Sequence, residues 1–332
     1  MKKLAVVLLS GGLDSTLAAR ILQLQGFEVI GLTVRLPFHR CESAALQAAC
    51  ELQIPLAMRE VGEDYMEVLR YPRHGYGKGA NPCLDCRTYM LRMARQLMEE
   101  LDGMLVATGE VLGQRPMSQK RPHLGITAHE SGLQDRLLRP LSAKCLPPTW
   151  PEREGYVDRE KLYAFTGRSR KPLWALAKQL GLKDIPESGP GCSLTDVQFA
   201  PKVFDLLDHD PRASLWDCEL LTLGRHLRLD DRTKLVIGRN ETQNLRLRRL
   251  FARGLRQDCA LVTPINFVGP DAILVGDVSE SQWEKAVQII LRYVRRELPP
   301  LVEVEICTRG EVFRRQFPRP VPKNSTSPDQ AL

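Results

Sequence analysis

The sequence predicts an α/β fold: a parallel sheet in the N-terminal part, followed by a smaller α+β domain. Four observations carry this. The run Leu4, Ala5, Val6, Val7, Leu8, Leu9 is short, apolar and uninterrupted, as a strand buried on both faces must be. It leads directly into Ser10-Gly11-Gly12-Leu13-Asp14-Ser15-Thr16, whose glycines allow a tight turn before an amphipathic helix through Leu17, Ala18, Ile21 and Leu22 to Gly26. A second apolar run, Phe27 to Val34, follows the glycine turn and completes a strand-helix-strand unit, the building block of a parallel sheet. Past residue 213 the pattern changes to short paired strands and isolated amphipathic helices.

Length and composition agree with two domains. A chain of 332 residues, 43% hydrophobic, holds enough apolar material for more than one core. The expected division is 1–212 for the parallel-sheet domain and 213–315 for the second. Hydrophobic periodicity ends after Arg314, so 316–332 is expected to be an unstructured tail. Leu4 to Leu9 is too short for a signal peptide core or a membrane span and no cleavage site follows it, so the cytoplasm is the expected compartment. Nine irregularly spaced cysteines do not read as a disulfide scaffold; reduced thiols or metal ligands fit better. A net charge of +7 makes an acidic polymer a suitable partner.

The first loop is an anion site by its chemistry. Free amide N–H groups at a helix start, the helix dipole and small hydroxyl side chains together suit a pyrophosphate. No Gly-Lys-Ser/Thr closes the loop and a third glycine is missing, which excludes a Walker loop and a dinucleotide fingerprint. Ser-Gly-Gly-x-Asp-Ser after a first strand instead resembles the PP-loop of the ATP pyrophosphatases, with a Rossmann-like sheet. That resemblance implies that Ser10, Gly11, Gly12, Asp14, Ser15 and Thr16 hold the pyrophosphate of ATP and its Mg2+, and that Val34, at the end of the second strand, flanks the adenine. The stretch Leu105-Val106-Ala107-Thr108-Gly109 reads as another buried strand, and by the same resemblance Gly109 borders the ATP site. Glu110 departs from the family pattern, where many relatives carry a histidine. The roles of Glu110, Gln114 and Arg115 stay open, as does that of Ser118 in the same polar loop.

The cysteines fall into two groups. Cys83 and Cys86 stand in Asn81-Pro82-Cys83-Leu84-Asp85-Cys86-Arg87, just before a helix expected from Thr88 to Leu101, and Cys192 stands in the Gly-rich turn 189–196. A helix start lowers a thiol pKa and favours thiolate. Cys41, Cys50, Cys145, Cys218, Cys259 and Cys307 stand alone, and most of them read as small core hydrophobes. A closed zinc site wants four ligands, and no second Cys-x-x-Cys or His pair supplies them. A Cys-x-x-Cys with a distant third Cys beside a PP-loop resembles the sulfur-transferring tRNA thiolases. That resemblance implies a 4Fe-4S cluster on Cys83, Cys86 and Cys192 and assigns catalysis to Cys83, Cys192 and Asp14. A persulfide relay, structural zinc and inert thiols remain open alternatives.

Further on, His123 to Leu141 reads as a strand and lid containing Arg136 and Arg139, and Tyr156 to Gly181 as a helix with Leu173, Trp174, Leu176, Ala177 and Leu180 on one face. Arg168, Arg170 and Lys171 suit an RNA backbone or a solvated charge run. Leu223–Leu229 and Thr233–Gly238 pair around a turn and a helix runs to Gly254. A strand from Ile273, a helix from Glu280 to Glu297 and a strand from Leu301 complete the domain. The piece Val236-Ile237-Gly238-Arg239-Asn240 with Asn244 resembles the RNA-binding domain of the NFACT family. Arg239, Arg246, Arg248, Arg249, Arg253 and Arg256 crowd this region with little acid nearby, which suits phosphate neutralisation. Arg239, Asn240, Arg246, Arg249 and Arg253 are the expected RNA contacts.

Together these resemblances imply an ATP-dependent tRNA sulfurtransferase. It would adenylate a uracil carbonyl and then let sulfur displace AMP, with tRNA and a sulfur donor (sulfide or a persulfide carrier protein) as partners and no membrane. A PP-loop enzyme adenylating a small molecule or sulfur carrier is an alternative, as is a non-catalytic RNA-binding iron-sulfur protein. The uracil oxygen, the tRNA position, the donor and the oligomeric state, a homodimer included, stay open.

Overall fold

A computed structural model describes residues 2–185 and 191–319. It divides into two compact units, Met1–Val197 and Gln198–Leu332. The strands of the first unit are β1 (Leu4–Leu8), β2 (Glu28–Arg35), β3 (Leu56–Glu60), β4 (Leu105–Thr108) and β5 (Leu137–Leu138). They form one parallel sheet of order β3-β2-β1-β4-β5. The helices are α1 (Leu13–Leu24), α2 (Glu42–Leu52), α3 (Tyr65–Arg70), α4 (Cys83–Glu100), α5 (Arg121–Glu130), α6 (Trp150–Arg153) and α7 (Lys171–Gln179). All five residues of β1 are buried, because β1 is central and covered on both faces. The sheet order reverses between β1 and β4, and the carboxyl ends of strands at such a switch point are where open α/β sheets bind ligands.

Two expectations for this unit are corrected. Residues 121–130 form α5, started by Pro122 and held by Leu124, Thr127 and Ala128 on one buried stripe, so only Leu137–Leu138 of the expected strand exists. The helix expected over 156–181 shrinks to α7. Gly167 in the left-handed region (φ 83°) and Pro172 in the first helical turn hold its start back to Lys171.

The second unit contains α8 (Ala200–His209), α9 (Leu215–Leu221), β6 (Arg225–Asp230), β7 (Thr233–Ile237), α10 (Glu241–Ala252), β8 (Cys259–Pro264), β9 (Ala272–Val275), α11 (Glu280–Leu291), β10 (Leu301–Cys307) and β11 (Val312–Pro318). Its six strands form an antiparallel sheet of order β11-β10-β8-β9-β7-β6. Trp283, Val287 and Ile290 of α11 pack with Leu235, Ala260 and Leu274, while Trp216 of α9 and Leu247 and Leu250 of α10 pack with Val236, Leu261 and Ile273. The sheet is therefore covered on both faces, since neighbouring strand residues point to opposite sides. Strand β8, a plain apolar run, was not foreseen. Neither was β11, which carries ordered structure beyond Arg314 to Pro318: Phe313 and Phe317 alternate toward the core with exposed Val312, Arg314 and Gln316. Residues 320–332 lie outside the described residues.

Candidate active site

A cavity of about 210 Å³ opens at the carboxyl ends of β1, β2 and β4. Its floor is Leu8, Leu9, Leu32 and Val34, and Ser10, Asp14 and Ser15 line it from the first loop. Two glycines make this approach possible. A Cβ on Gly11 would lie 2.1 Å from the Ala44 carbonyl carbon at the start of α2, and one on Gly109 would lie 2.3 Å from the Asp14 carbonyl carbon. Each holds two backbones in contact where any side chain would part them. Gly11, Gly12 and Thr16 shape the loop without lining the cavity: the Ser15 and Thr16 hydroxyls both donate to the Gly12 carbonyl at 3.0 Å, and Thr16 is wholly buried.

Asp14 faces the cavity with one carboxylate oxygen, Oδ1, buried and without a hydrogen bond. Burial raises its pKa, against the pull of Arg170, Gln114 and Arg115. Arg170 Nη2 stands 3.8 Å from Asp14 Oδ2. The backbone explains this meeting: Gly167 N–H donates to Leu112 O at 2.8 Å and a bridge joins Leu112 to Thr166, strapping the loop before α7 to the loop after β4. Of the basic run 168–171, Arg170 thus serves the first-loop carboxylate.

Glu110 is fully enclosed at the same rim. It accepts from Arg139 Nε at 2.9 Å and Thr108 Oγ1 at 3.0 Å, and lies 3.4 Å from Arg87 Nε. Burial works to raise its pKa, but Arg139, Arg87 and the hydrogen bonds outweigh it and keep the carboxylate below its ordinary value. Arg139, expected on a lid, is instead buried beneath the site, donating also to Leu124 O.

The three singled-out cysteines all line this cavity. The α4 start is built by Asn81, whose side chain accepts from Gly79 N–H at 3.1 Å and donates to Cys83 Sγ at 3.0 Å. A Cβ on Gly79 would meet Leu194 O at 2.4 Å, so this loop abuts the turn after Cys192. That turn is also tied to the β2–α2 loop, where Ser193 N–H donates to Phe38 O at 2.9 Å. The expected thiolates are corrected for two of the three. Burial pushes the Cys86 thiol up to about 12 although Tyr65 Oη donates to it at 3.1 Å, and burial also raises Cys192; loss of water outweighs the helix start. Among the described residues no group of three His, Cys, Asp or Glu side chains is drawn together tightly enough to hold a metal ion. The three thiols share the cavity with Arg87 and Arg115.

Sequence reasoning missed His39 and Cys41, which line the same cavity from the β2–α2 loop, and Arg87. Cys41, read as a core hydrophobe, is pushed up to about 11 by burial and by Glu42. No periodic or motif signal marks that loop.

In the second unit, Asn240 is the cap of α10: its Oδ1 accepts from Gln243 N–H at 3.0 Å. Asn244 Oδ1 accepts from Asp271 N–H at 3.2 Å and lies 2.0 Å from where a Gly238 Cβ would be, so the Gly-Arg-Asn pattern is a turn held by asparagines. The arginine crowd has more acid than its sequence suggested. Arg248 is bidentate to Asp271, Arg253 pairs with Glu219, and Arg256 is buried among Asp210, Asp217 and Asp258. Arg239 and Arg249 are exposed, and Arg246 is half-buried.

A parallel sheet with a glycine loop and a cavity at its switch point has the form of a nucleotide-binding class of protein, and the antiparallel unit adds exposed arginines. Residues 3–147 match the family described as the tRNA methyl transferase HUP domain, and residues 224–326 match the NFACT protein RNA binding domain. Residues 3–147 are thus similar to a PP-loop, tRNA-thiouridylase-like domain and residues 224–326 to an NFACT-type RNA-binding domain. A tRNA-specific 2-thiouridylase MnmA of Trichlorobacter lovleyi is 30% identical over 44% of this chain and 44% of its own length. One of Azorhizobium caulinodans is 27% identical over 60% of this chain and 53% of its length, so the chain spans about half the length of these curated relatives. One of Symbiobacterium thermophilum is 28% identical over 99% of this chain and 88% of its length.

Proposed function

We propose that this protein is an ATP-dependent tRNA sulfurtransferase that adenylates a uracil carbonyl oxygen and replaces it with sulfur. The observation that carries this is a single cavity shared by an anion loop and three cysteines. The oxygen of a uracil carbonyl leaves poorly until it becomes a phosphate ester, so ATP must act first. Ser10, Ser15 and the amides of the α1 start bind the departing pyrophosphate. Asp14, with its bare oxygen, holds Mg2+, and Arg170, now paired to Asp14, turns to the phosphates. Val34 and Leu32 offer an apolar seat to the adenine. Relatives named as 2-thiouridylases favour O2 as the oxygen replaced.

Cys83, Cys86 and Cys192 would hold a 4Fe-4S cluster, which when bound supplies a seat for hydrosulfide. A second reading rests on the thiols sharing one cavity: Cys192 or Cys83 takes sulfane sulfur from a persulfide carrier protein, whose thiol is released, and the persulfide is resolved by the other cysteine, forming their disulfide as the sulfur is delivered. The second unit would hold the tRNA while the target base leaves its stack, with Arg239, Arg246, Arg249 and Arg253 toward phosphates.

The test is anaerobic purification with iron, acid-labile sulfide and zinc analysis of the wild type and of Cys83→Ala, Cys86→Ala and Cys192→Ala, each also assayed for tRNA-dependent pyrophosphate release and thiolation. About four irons per chain, lost in all three variants, supports the cluster. Thiolation by metal-free protein supports the persulfide. Absence of RNA-dependent pyrophosphate release overturns the enzyme reading in favour of a binding protein.

A further inference from the structure

We propose that the exposed face of α7 docks a single-stranded stretch of RNA, with the Trp174 ring stacked on the unpaired base beside the one that enters the cavity and Lys171 and Lys178 on the flanking phosphates. The choice of RNA as occupant rests on the sulfurtransferase reading above. Trp174, expected on the inner face of its helix, is instead 48% exposed, while Leu173, Leu176 and Ala177 form the buried stripe. The other three tryptophans are used differently: Trp216 and Trp283 are buried, and Trp150 packs against Tyr156 with Arg136 over its ring. Among the described residues the Trp174 side chain has no ring contact, cation–π contact or hydrogen bond. A flat, rigid ring left open in this way is a platform on which a base can stack.

Its surroundings select the occupant. Residues 161–183 contain no Asp or Glu, yet hold Lys161, Arg168, Arg170, Lys171, Lys178 and Lys183. Lys171 lies three residues before Trp174 and Lys178 four after it, so the three share one side of the helix, and all are exposed. Neither lysine, nor Arg168, spends its charge on a side-chain hydrogen bond or ion pair among the described residues. Unspent cations around an open ring suit a polyanion with free aromatic faces, and single-stranded RNA is such a polymer.

The face also lies where the strand must run. Trp174 N–H donates to Arg170 O at 3.0 Å, closing the first turn of α7, and Arg170 Nη2 stands 3.8 Å from Asp14 Oδ2. Cβ bonds on a helix tilt toward its N-terminus, so the Trp174 side chain covers the turn that begins at Arg170. The strap from Gly167 to Leu112 holds that turn beside the loop whose Arg115 and Ser118 line the cavity. One helical turn, about 5.4 Å along the axis, thus separates the platform from a residue of the site.

The test uses the full chain with a tRNA transcript and, as a probe without unpaired bases, a fully paired RNA duplex carrying the same number of phosphates. Trp174→Ala should weaken tRNA binding about 5- to 150-fold and leave duplex binding unchanged, and Trp174→Phe, which keeps a ring, should recover most of the loss. Quenching of tryptophan fluorescence by tRNA should be smaller in Trp174→Phe than in the wild type, a readout of stacking that does not depend on the alanine variant folding. Lys171→Ala and Lys178→Ala should each reduce the steepness of log K against log salt by about 0.7, the value for one phosphate of a single strand. ATP binding without RNA should stay at the wild-type level in all four variants. Equal quenching in the wild type and Trp174→Phe overturns the proposal. So does an equal loss of tRNA and duplex binding in Trp174→Ala, which would make the ring a support for the lysines. Unchanged tRNA binding, with thiolation lost only when a persulfide carrier protein is the donor, overturns it as well and makes the face a carrier dock. A wild type that shows the Trp174-dependent quenching but releases no pyrophosphate with any tRNA keeps the docking face and overturns the sulfurtransferase reading alone.

Discussion

The two units treat buried charge in opposite ways. In the second unit every ion of the network is answered: Asp205 accepts from Arg228 Nε and Nη2 and from Lys234 Nζ, and Arg256 spreads its guanidinium over Asp210, Asp217 and Asp258. In the first unit one pocket carboxylate is left partly bare: Asp14 Oδ1 is buried without a hydrogen bond, whereas Glu110 Oε1 faces Arg87 Nε at 3.4 Å. A buried polar atom without a partner is costly, so Asp14 Oδ1 marks the cavity as the place where a ligand would repay that cost. Saturated charge fastens a structure; unsaturated charge waits for one.

The sharpest way to break this comparison is to strip one ion from each side. Arg256→Met leaves three aspartates facing one another and should cost about 3–5 kcal/mol, read as a large fall in the denaturation midpoint of the second unit, with ATP binding by the first unit kept. Asp14→Asn should do the reverse, lowering pyrophosphate release on the order of 10²–10³-fold while leaving the fold intact. Because burial holds the folded Asp14 pKa above its unfolded value, the folded state binds the extra proton. Its favourable contribution is present at low pH and is lost as pH rises through the folded pKa, so Asp14→Asn should be no less stable than wild type at neutral pH. A marked destabilisation by Asp14→Asn would erase the distinction between the units.

A smaller effect is expected from geometry. Gly109→Ala must push the end of β4 away from the start of α1, and a displacement of that size should weaken ATP-dependent pyrophosphate release by about 10²-fold with a stability loss of about 1–3 kcal/mol. Next comes Asp205, whose pKa falls from 3.8 to about 2; burial opposes this, and the bonds from Arg228 and Lys234 more than offset it. The contribution is present above pH 3.8 and is lost as pH falls through about 2, and Asp205→Asn should remove about 2 kcal/mol at neutral pH, seen in urea titrations at several pH values. The mildest variants are Arg239→Ala and Arg249→Ala, two exposed arginines outside the saturated network. Each should leave stability unchanged and lower the salt dependence of tRNA binding by about one unit of slope.

What was legible beforehand follows from what is local. The strand, loop and helix over 4–24, the Cys-x-x-Cys at a helix start, the β6–β7 hairpin and the asparagine-capped α10 each lie within one stretch of chain, where periodicity, glycine and capping residues write directly into the sequence. The errors were equally local in origin. The helix expected from Tyr156 is held back to Lys171 by Gly167 and Pro172, and the arginines near α10 were counted without the aspartates that other strands and helices bring to them.

By itself, then, the sequence determined the α/β class and the strand, glycine turn and helix at the start of the chain, since these depend on neighbours three or four residues away. Only the tertiary structure decided that Cys192 joins Cys83 and Cys86, that Arg170 meets Asp14, that Glu110 is buried under Arg139, and that His39 and Cys41 share the cavity. The physical reason is that these meetings join residues far apart in the chain, brought together by the parallel crossovers and by glycine contacts at Gly11, Gly79 and Gly109. No sequence period encodes such a contact; the packing of backbones against one another does.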